Sequence, residues 1–175
     1  MTGSPLVRTM SLIGIVIVLL IGSGCSSDDP SGTPEKKEST LPVRSPEVVQ
    51  NAVAALAETL PSALGSTEPL TGNPPRVTPC TDDNGRASED GPFYVQGTYQ
   101  VFLPEKQHRP ALTKLQDKWA SEGWAKVAYR PFGAAGTRGE LSGISPDENF
   151  DVRITSGTPP RGFAVIIVSP CARAE

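Results

Sequence analysis

Three acidic side chains lie close enough in the sequence to be candidate catalytic carboxylates. Asp147, Glu148 and Asp151 fall within the segment SPDENFD, between two predicted strands. Glycoside hydrolysis needs two carboxyl groups that flank the scissile bond, one as general acid and the other as base or nucleophile. Acidic side chains on a surface turn are also well solvated without any catalytic role. The sequence therefore leaves a hydrolase open and names no pair of carboxylates as its centre.

The N-terminal segment is organised as an export signal. Arg8 precedes an apolar run, residues 10–21, which is interrupted by Ser11 and Gly14. At about 12 residues, this run matches the roughly 7–15 of a signal-peptide core and is shorter than the roughly 20 that a membrane-spanning helix needs. We interpret residues 1–24 as a signal peptide.

The small residues that follow this run lead directly into Cys25. The arrangement resembles the lipobox of bacterial lipoproteins, with Gly22 at the position where that pattern usually has Leu. The resemblance implies cleavage before Cys25 and acylation of its thiol, so that the membrane is a partner through a lipid anchor on the extracytoplasmic side. An ordinary cleaved signal with an incidental cysteine, or a retained anchor helix, are the alternatives.

The other cysteines are best understood together with Cys25. If Cys25 carries lipid, Cys80 and Cys171 are the two that remain of three. Outside the cytoplasm such a pair is normally oxidised, so we predict a disulfide. Two cysteines and His108 fall short of the four ligands of a structural zinc site, and a catalytic thiol would have His108 as its sole histidine base. We expect no metal site and no cofactor.

The charge of the chain argues against a nucleic-acid partner. The formal net charge is −3, and loss of residues 1–24 removes one Arg and no acid, which gives −4. Nucleic-acid-binding domains are basic, with Lys and Arg gathered on one face. The same balance provides no polybasic patch for anionic lipid.

Residues 25–42 are polar and contain almost no apolar side chain, so we expect a disordered tether. Ser45-Pro46-Glu47 then has the features of a helix start, and the apolar spacing predicts a helix to about Leu60. Five prolines and several glycines predict a long irregular connection over residues 61–91.

The rest of the chain, within a domain of residues 43–175, alternates in a way typical of strands. Phe93–Leu103 reads as a half-buried strand, a helix is predicted within residues 104–122, and three or four strands follow, with FAVIIV over residues 163–168 as the central one. We predict an α+β fold, a single domain in which two helices pack on one face of a four- to five-stranded, mainly antiparallel sheet. The expected core comprises Val95, Tyr99, Val101, Leu112, Leu115, Trp119, Val127, Val152, Ile154, Val165 and Ile167.

Several scaffold features together resemble those of small uncharacterised lipoproteins of actinobacteria. Beyond the signal, the cysteine and the tether, they are Trp119 with Gly123-Trp124 at the end of the predicted second helix, and a last apolar strand that ends in Ser169-Pro170-Cys171. The resemblance supports a location and a fold and implies no activity.

Two classes of function follow. The first is a non-enzymatic, monomeric binding module of the cell envelope, whose partner is a protein, a lipid or a wall component; the second is a hydrolase that acts on cell-wall material. For the first, we expect the sheet face without helices to carry the partner surface, at Arg130, Phe132, Arg138 and Arg153, with Phe132 and Arg138 on a flexible Gly-rich loop. The residues expected to alternate towards this face are Gln96, Thr98, Gln100, Lys126, Arg130, Asp151, Arg153 and Thr155.

Acylation of Cys25 is directly testable. The Cys25→Ala variant should lose membrane association, because the lipid chains provide the anchoring. Intact-mass measurement of membrane-extracted protein should show acyl mass on the parent chain, and Cys171→Ala, which also removes a cysteine, should retain that mass. Undiminished membrane association of the Cys25→Ala variant would contradict the lipid anchor.

Overall fold

Two helices and six strands follow one another in the order αββαββββ. The structure, a computed structural model, describes residues 41–82, 84–88, 90–158 and 162–175. Cys25, the predicted signal peptide and nearly all of the predicted tether lie outside the described residues. The elements are α1 Pro46–Leu64, β1 Thr71–Pro79, β2 Phe93–Val101, α2 Glu105–Ser121, β3 Ala125–Phe132, β4 Arg138–Ile144, β5 Asp151–Ser156 and β6 Phe163–Val168.

The strands form one antiparallel sheet in the order β1-β2-β6-β5-β4-β3. Strands β3 to β6 are joined as successive neighbours, and β6 then returns to pair with β2. The α+β class is therefore confirmed, whereas the predicted count of four to five strands is one too low. The run at residues 163–168 lies between β2 and β5, in the central position that its apolar composition predicted.

Alternation along the strands places the core on one side of the sheet. In β2 the odd-numbered side chains from Phe93 to Val101 are buried, and the same alternation holds in β4, β5 and β6. Helix α1 packs over β1, β2 and β6, and α2 packs over β3 and β4. Each predicted core residue is buried except Val127, which is half-buried and packs against the core. The two helices thus cover one face, as predicted.

Helix α1 continues one turn beyond the predicted end near Leu60. Pro61 lacks the N–H that would bond to the preceding turn, but it is itself buried, and Leu64 extends the apolar stripe into the core. The helix ends at Gly65, whose φ is 79°, with Gly65 N–H donating to Ser62 C=O and Ser66 N–H to Pro61 C=O. This Schellman arrangement satisfies carbonyls that would otherwise lack donors.

The segment predicted to be irregular, residues 61–91, contains an additional strand. β1 occupies the edge of the sheet and has a neighbouring strand on one side only. On the other side its N–H groups make no hydrogen bond to a strand, so prolines, which lack an N–H, are tolerated there. Pro74 and Pro75 fall at a register shift between Asn73 and Arg76. The proline content that argued against a strand is thus compatible with an edge position, and this explains the missing sixth strand.

The hairpin between β3 and β4 also differs from the prediction of a flexible loop. Phe132 pairs with Arg138, and Pro131 pairs with Gly139, so both predicted loop residues belong to paired strands. A single 3₁₀ turn, Ala134–Gly136, closes the hairpin. Thr137 Oγ1 donates to the Glu105 carboxylate at 3.2 Å, which ties this turn to the start of α2.

His108 has a structural position in α2 and is not an exposed side chain. It is 0% exposed, its Nε2 lies 2.7 Å from the Leu103 carbonyl, and its ring lies 4.4 Å from that of Phe163. Because a carbonyl only accepts, Nε2 carries the proton. His108 thus holds the start of α2 against β6. The two cysteines with which the sequence could have grouped it are bonded to each other.

The disulfide between Cys80 and Cys171 is present, as predicted, with the two Cα atoms 6.3 Å apart. It joins the end of β1 to the C-terminal segment, which is also held by two backbone hydrogen bonds of 2.8 Å between Phe93 and Ala172. Val43, just before α1, pairs with Arg173 in an isolated bridge. Both ends of the described domain are therefore fastened to the same corner of the sheet.

Removal of this disulfide should reduce stability without changing the fold. The bridge spans 91 residues of sequence, and closing a loop of that size contributes about 4 kcal/mol in the chain-entropy model. The Cys80→Ser/Cys171→Ser double variant should lose roughly 2–5 kcal/mol in urea unfolding while its far-ultraviolet circular dichroism is retained. The parent protein should show no free thiol at these two positions after unfolding without reductant. An unchanged midpoint in the double variant would contradict a stabilising bridge.

Candidate binding surfaces

The side of the sheet opposite the helices, here called the open face, carries four arginines. Register places Arg76 in β1, Arg153 in β5, Arg138 in β4 and Arg130 in β3 on this side, because each lies on the alternation opposite to the buried residues. Phe132 is on the same side, with the Arg138 guanidinium 5.4 Å from its ring centroid. All four residues predicted for the partner surface therefore share one face.

Three side chains on neighbouring strands of the open face are connected by polar contacts. Arg130, Glu140 and Thr155 are neighbours in register on β3, β4 and β5. Arg130 Nη2 lies 3.5 Å from Glu140 Oε1, and Thr155 Oγ1 donates to Glu140 Oε2 at 3.3 Å. Arg130 remains largely exposed in this pair, so the Coulombic gain is small and its guanidinium can still bind elsewhere.

Three of the arginines, Arg76, Arg138 and Arg153, have no acidic partner within the described part of the chain. Arg153 lies between Ser142 of β4 and Ile166 of β6 in register, and Arg76 lies beside Gln96 of β2. Both are exposed. Ile166 is 36% exposed, which leaves an apolar centre in the middle strand between these cations.

The open face thus has a charge opposite to that of the whole chain. The strand residues of this face include four arginines and two acids, Glu140 and Asp151, which gives the face a net charge of +2. The whole chain has a net charge of −3. The order of charges along the chain indicates no basic patch, because the four arginines meet only in the folded sheet. Arg76 was not among the residues predicted for this face, because it falls in the segment predicted to be irregular. Lys126, also predicted for this face, lies in the β-bulge between Ala125 and Ala128, where the alternation is interrupted.

A second surface, the Trp groove, lies on the helical side of the sheet. It is a cavity of about 670 Å³ between α1, the C-terminal end of α2 and the turn from β4 to β5. Its apolar lining comprises Leu56, Leu60, Leu115, Trp119, Trp124 and Phe150.

The end of α2 creates the aromatic wall of this groove. Gly123 adopts a φ of 80°, which turns the chain back so that Trp124 N–H donates to Trp119 C=O. The two indoles then stack with centroids 4.1 Å apart and an interplanar angle of 5°. Gly143 of β4 lies beneath both rings, where a side chain would contact them. Trp119 is 2% exposed, whereas Trp124 is half-buried and reaches the groove.

The three candidate catalytic carboxylates do not lie in one cleft. Asp147 and Glu148 line the Trp groove, but Asp151 pairs in register with Ile144 and Val168 on the open face. The Glu148 carboxylate is also bonded to the Arg44 guanidinium, a contact that raises the pKa of Arg44. The three candidates are therefore divided between two surfaces, because β5 begins at Asp151 and turns this side chain away from the helices.

A second cavity, of about 510 Å³, lies between α1 and edge strand β1. Tyr99 of β2 lines it; this side chain is 6% exposed and its hydroxyl has no hydrogen-bond partner among the described residues. Burial disfavours the phenolate and, together with the negative charge of Glu58, raises the pKa of Tyr99.

The described residues contain no group of three or more His, Cys, Asp or Glu side chains placed to hold a metal ion. Neither described helix is long and apolar enough to cross a membrane. Comparisons with protein families, with curated proteins and with solved structures found no match to this chain.

The buried hydroxyl of Tyr99 predicts a pH-dependent difference in stability. A raised pKa in the folded state means that the contribution of this group is fully present below the unfolded value of about 10, and is lost as the pH rises through the folded value. Tyr99→Phe should unfold with a free energy equal to or up to about 1 kcal/mol above that of the parent at pH 7, since an unpartnered hydroxyl is removed. Above pH 10 its advantage should grow.

Urea unfolding at pH 7 and at several values above pH 10 measures this difference. Tyr94→Phe is the control, because the Tyr94 side chain is half-buried on the other side of the same strand. A Tyr99→Phe variant that is less stable than the parent by more than about 1 kcal/mol would show that the hydroxyl is satisfied in solution.

Proposed function

We propose that this protein is a lipid-anchored, extracytoplasmic module of the cell envelope that is not an enzyme and that binds an anionic envelope component through its open face. Support for the location comes from the signal-like N-terminus and from Cys25, followed by a polar tether. Support for the binding role comes from the four arginines on the open face of the domain. It acts as a monomer held at the membrane by its lipid.

The observation that carries this proposal is the one-sided placement of arginine. Arg76, Arg138 and Arg153 have no acidic partner in the described part of the chain, and Arg130 stays largely exposed beside Glu140. Guanidinium groups bind carboxylates and phosphates through paired hydrogen bonds and stay charged at every physiological pH. An anionic partner would therefore gain more from this face than a neutral one.

The uncovered sheet also has the composition of a recognition surface. Hydrogen-bonding side chains, among them Thr98, Gln100 and Thr155, surround the exposed Ile166. Interfaces commonly combine an apolar centre with a polar rim and are enriched in arginine. A flat face of this kind favours a large partner or a polymer over a small enclosed ligand.

A wall-directed hydrolase remains the second candidate, on one observation. Asp147 and Glu148 line the same groove, so two of the three candidate catalytic carboxylates share a cavity. Against catalysis, the Glu148 carboxylate is held in an ion pair with the Arg44 guanidinium, so Asp147 is the one unpaired carboxyl group among the described residues that line the groove. The binding module is therefore the better supported function.

The open face can be tested by removing its charge without introducing repulsion. The triple variant Arg130→Gln, Arg138→Gln and Arg153→Gln keeps polar side chains beside Glu140 while it removes three positive charges. Recovery of cross-linked envelope material from intact cells should fall several-fold. The melting temperature should change little, since exposed ion pairs contribute only about 0–1 kcal/mol.

The matched control removes the same charge from the other side of the domain. Lys106, Arg109 and Lys114 are exposed residues of α2, and changing all three to Gln should leave recovery at the parent level. Recovery should also decrease with rising salt for the parent protein, as expected for screened charges. Equal recovery from both triple variants would reject the open face as the binding surface.

A further inference from the structure

We infer that the Trp groove is a binding site for a neutral, polyhydroxylated ligand of the oligosaccharide class. The site lies on the helical side of the sheet and shares none of its lining with the four arginines of the open face. It therefore extends beyond the function proposed for that face and can be true or false independently of it.

The first argument is the state of Trp124. Trp119 covers one face of this indole at 4.1 Å, so the part of the ring that is left to meet a ligand is its other face and edge. The stack, the Gly123 turn and Gly143 beneath the rings fix the indole before any ligand arrives. A rigid aromatic surface binds at low entropic cost, and it suits the C–H face of a pyranose ring.

The second argument is the polar rim opposite this surface. Thr59 and Ser62 of α1 face the groove from one side, and Asp147 faces it from the turn. Asp147 is exposed and has no hydrogen-bond or ion-pair partner among the described residues. These hydroxyl and carboxylate groups can accept hydrogen bonds from ligand hydroxyls. The Thr59 hydroxyl already donates to Leu56 C=O at 2.7 Å, so the donor that is left for a ligand is the Ser62 hydroxyl.

The turn that presents Asp147 is held in place. Ser145 Oγ accepts from Phe150 N–H at 3.0 Å, Ser145 N–H donates to Phe150 C=O at 2.9 Å, and Asn149 N–H donates to Ser145 C=O at 3.1 Å. These bonds fix the backbone that carries Asp147 opposite the aromatic wall, which helps to orient a ligand between them.

The third argument is charge, which separates the possible ligand classes. Of the four charged side chains that line the groove, Lys118 is paired with Glu122, and Glu148 is paired with Arg44. This leaves the single charge of Asp147. A purely apolar ligand would bury this carboxylate and the hydroxyls without partners, at a high desolvation cost. A polycation would find one free negative charge, so a neutral ligand with many hydroxyls is the better match.

The dimensions are consistent with such a ligand. The groove volume of about 670 Å³ lies within the roughly 300–1,000 Å³ of small-molecule sites. Its lining is mainly apolar, with a few polar groups at the rim, which is the usual composition of these sites.

The chain offers a direct optical test, because its two tryptophans, Trp119 and Trp124, both line the groove. Chitotetraose, a neutral four-sugar oligosaccharide, is titrated into the full-length protein while the tryptophan emission is recorded. We expect a saturable change in emission. Absence of a saturable change up to about 1 mM, where binding would contribute only about 4 kcal/mol, would overturn the inference.

Two variants locate the binding. Trp124→Ala should weaken it at least about tenfold, with Trp119 as the remaining reporter, and Trp124→Phe should restore part of the affinity. Asp147→Ala, at an exposed turn position that does not support the core, should also weaken it, while Asp147→Asn should weaken it less. Affinity that is unchanged in both Trp124→Ala and Asp147→Ala would place the ligand elsewhere and overturn the site.

Two further measurements separate this inference from its alternatives. The Arg130→Gln, Arg138→Gln and Arg153→Gln triple variant should bind chitotetraose like the parent, because those residues lie outside the groove. A loss of binding in this variant would assign the sugar to the open face. Tetralysine should give no saturable change; if it binds in a Trp124-dependent manner and chitotetraose does not, the groove is a cation site and the inference is wrong.

Discussion

Two helices can cover only one face of a six-stranded sheet, and the rest of the structure follows from this constraint. Apolar residues alternate so that Val95, Ile154, Val165 and their neighbours lie under α1 and α2. The opposite positions must then tolerate water, and this is why Arg153, Thr155 and Gln100 occupy them. The uncovered face is not a defect of packing, because antiparallel sheets commonly have one solvated side.

The same constraint generates the groove on the other side. α1 lies over β1, β2 and β6, whereas α2 lies over β3 and β4, so the helices are spaced by the strands that they cover. Large side chains of Leu60, Leu115 and Trp119 fill the depth of the gap, and its outer part stays open towards the turn from β4 to β5. The groove is therefore a result of sheet width, which no single segment of sequence reveals.

Local patterns predicted most of the elements. The spacing of Leu112, Leu115 and Trp119 found α2, and the alternation in β2 and β5 found both strands and their buried faces, because period alone decides which side chains face the core. The largest error in the predicted secondary structure arises at prolines. Pro61 and the prolines of β1 predicted interruptions of regular structure, yet a buried last turn and an edge strand both tolerate a missing N–H.

What the sequence could not predict depends on which strands become neighbours. Arg76 and Arg153 are 77 positions apart, and they share a face only because β6 inserts between β2 and β5. Asp147 and Asp151 are four positions apart, yet a strand begins between them and sends them to opposite sides of the sheet.

The open face and the Trp groove lie on opposite sides of the sheet. The disulfide of Cys80 with Cys171 and the Val43–Arg173 bridge gather the ends of the described domain at one corner, where β2 begins. Because the sheet and its core separate the two surfaces, a ligand on one need not displace a ligand on the other. Any effect of one occupied surface on the other would have to cross the sheet and its core, where β4 carries Glu140 on one side and Gly143 on the other.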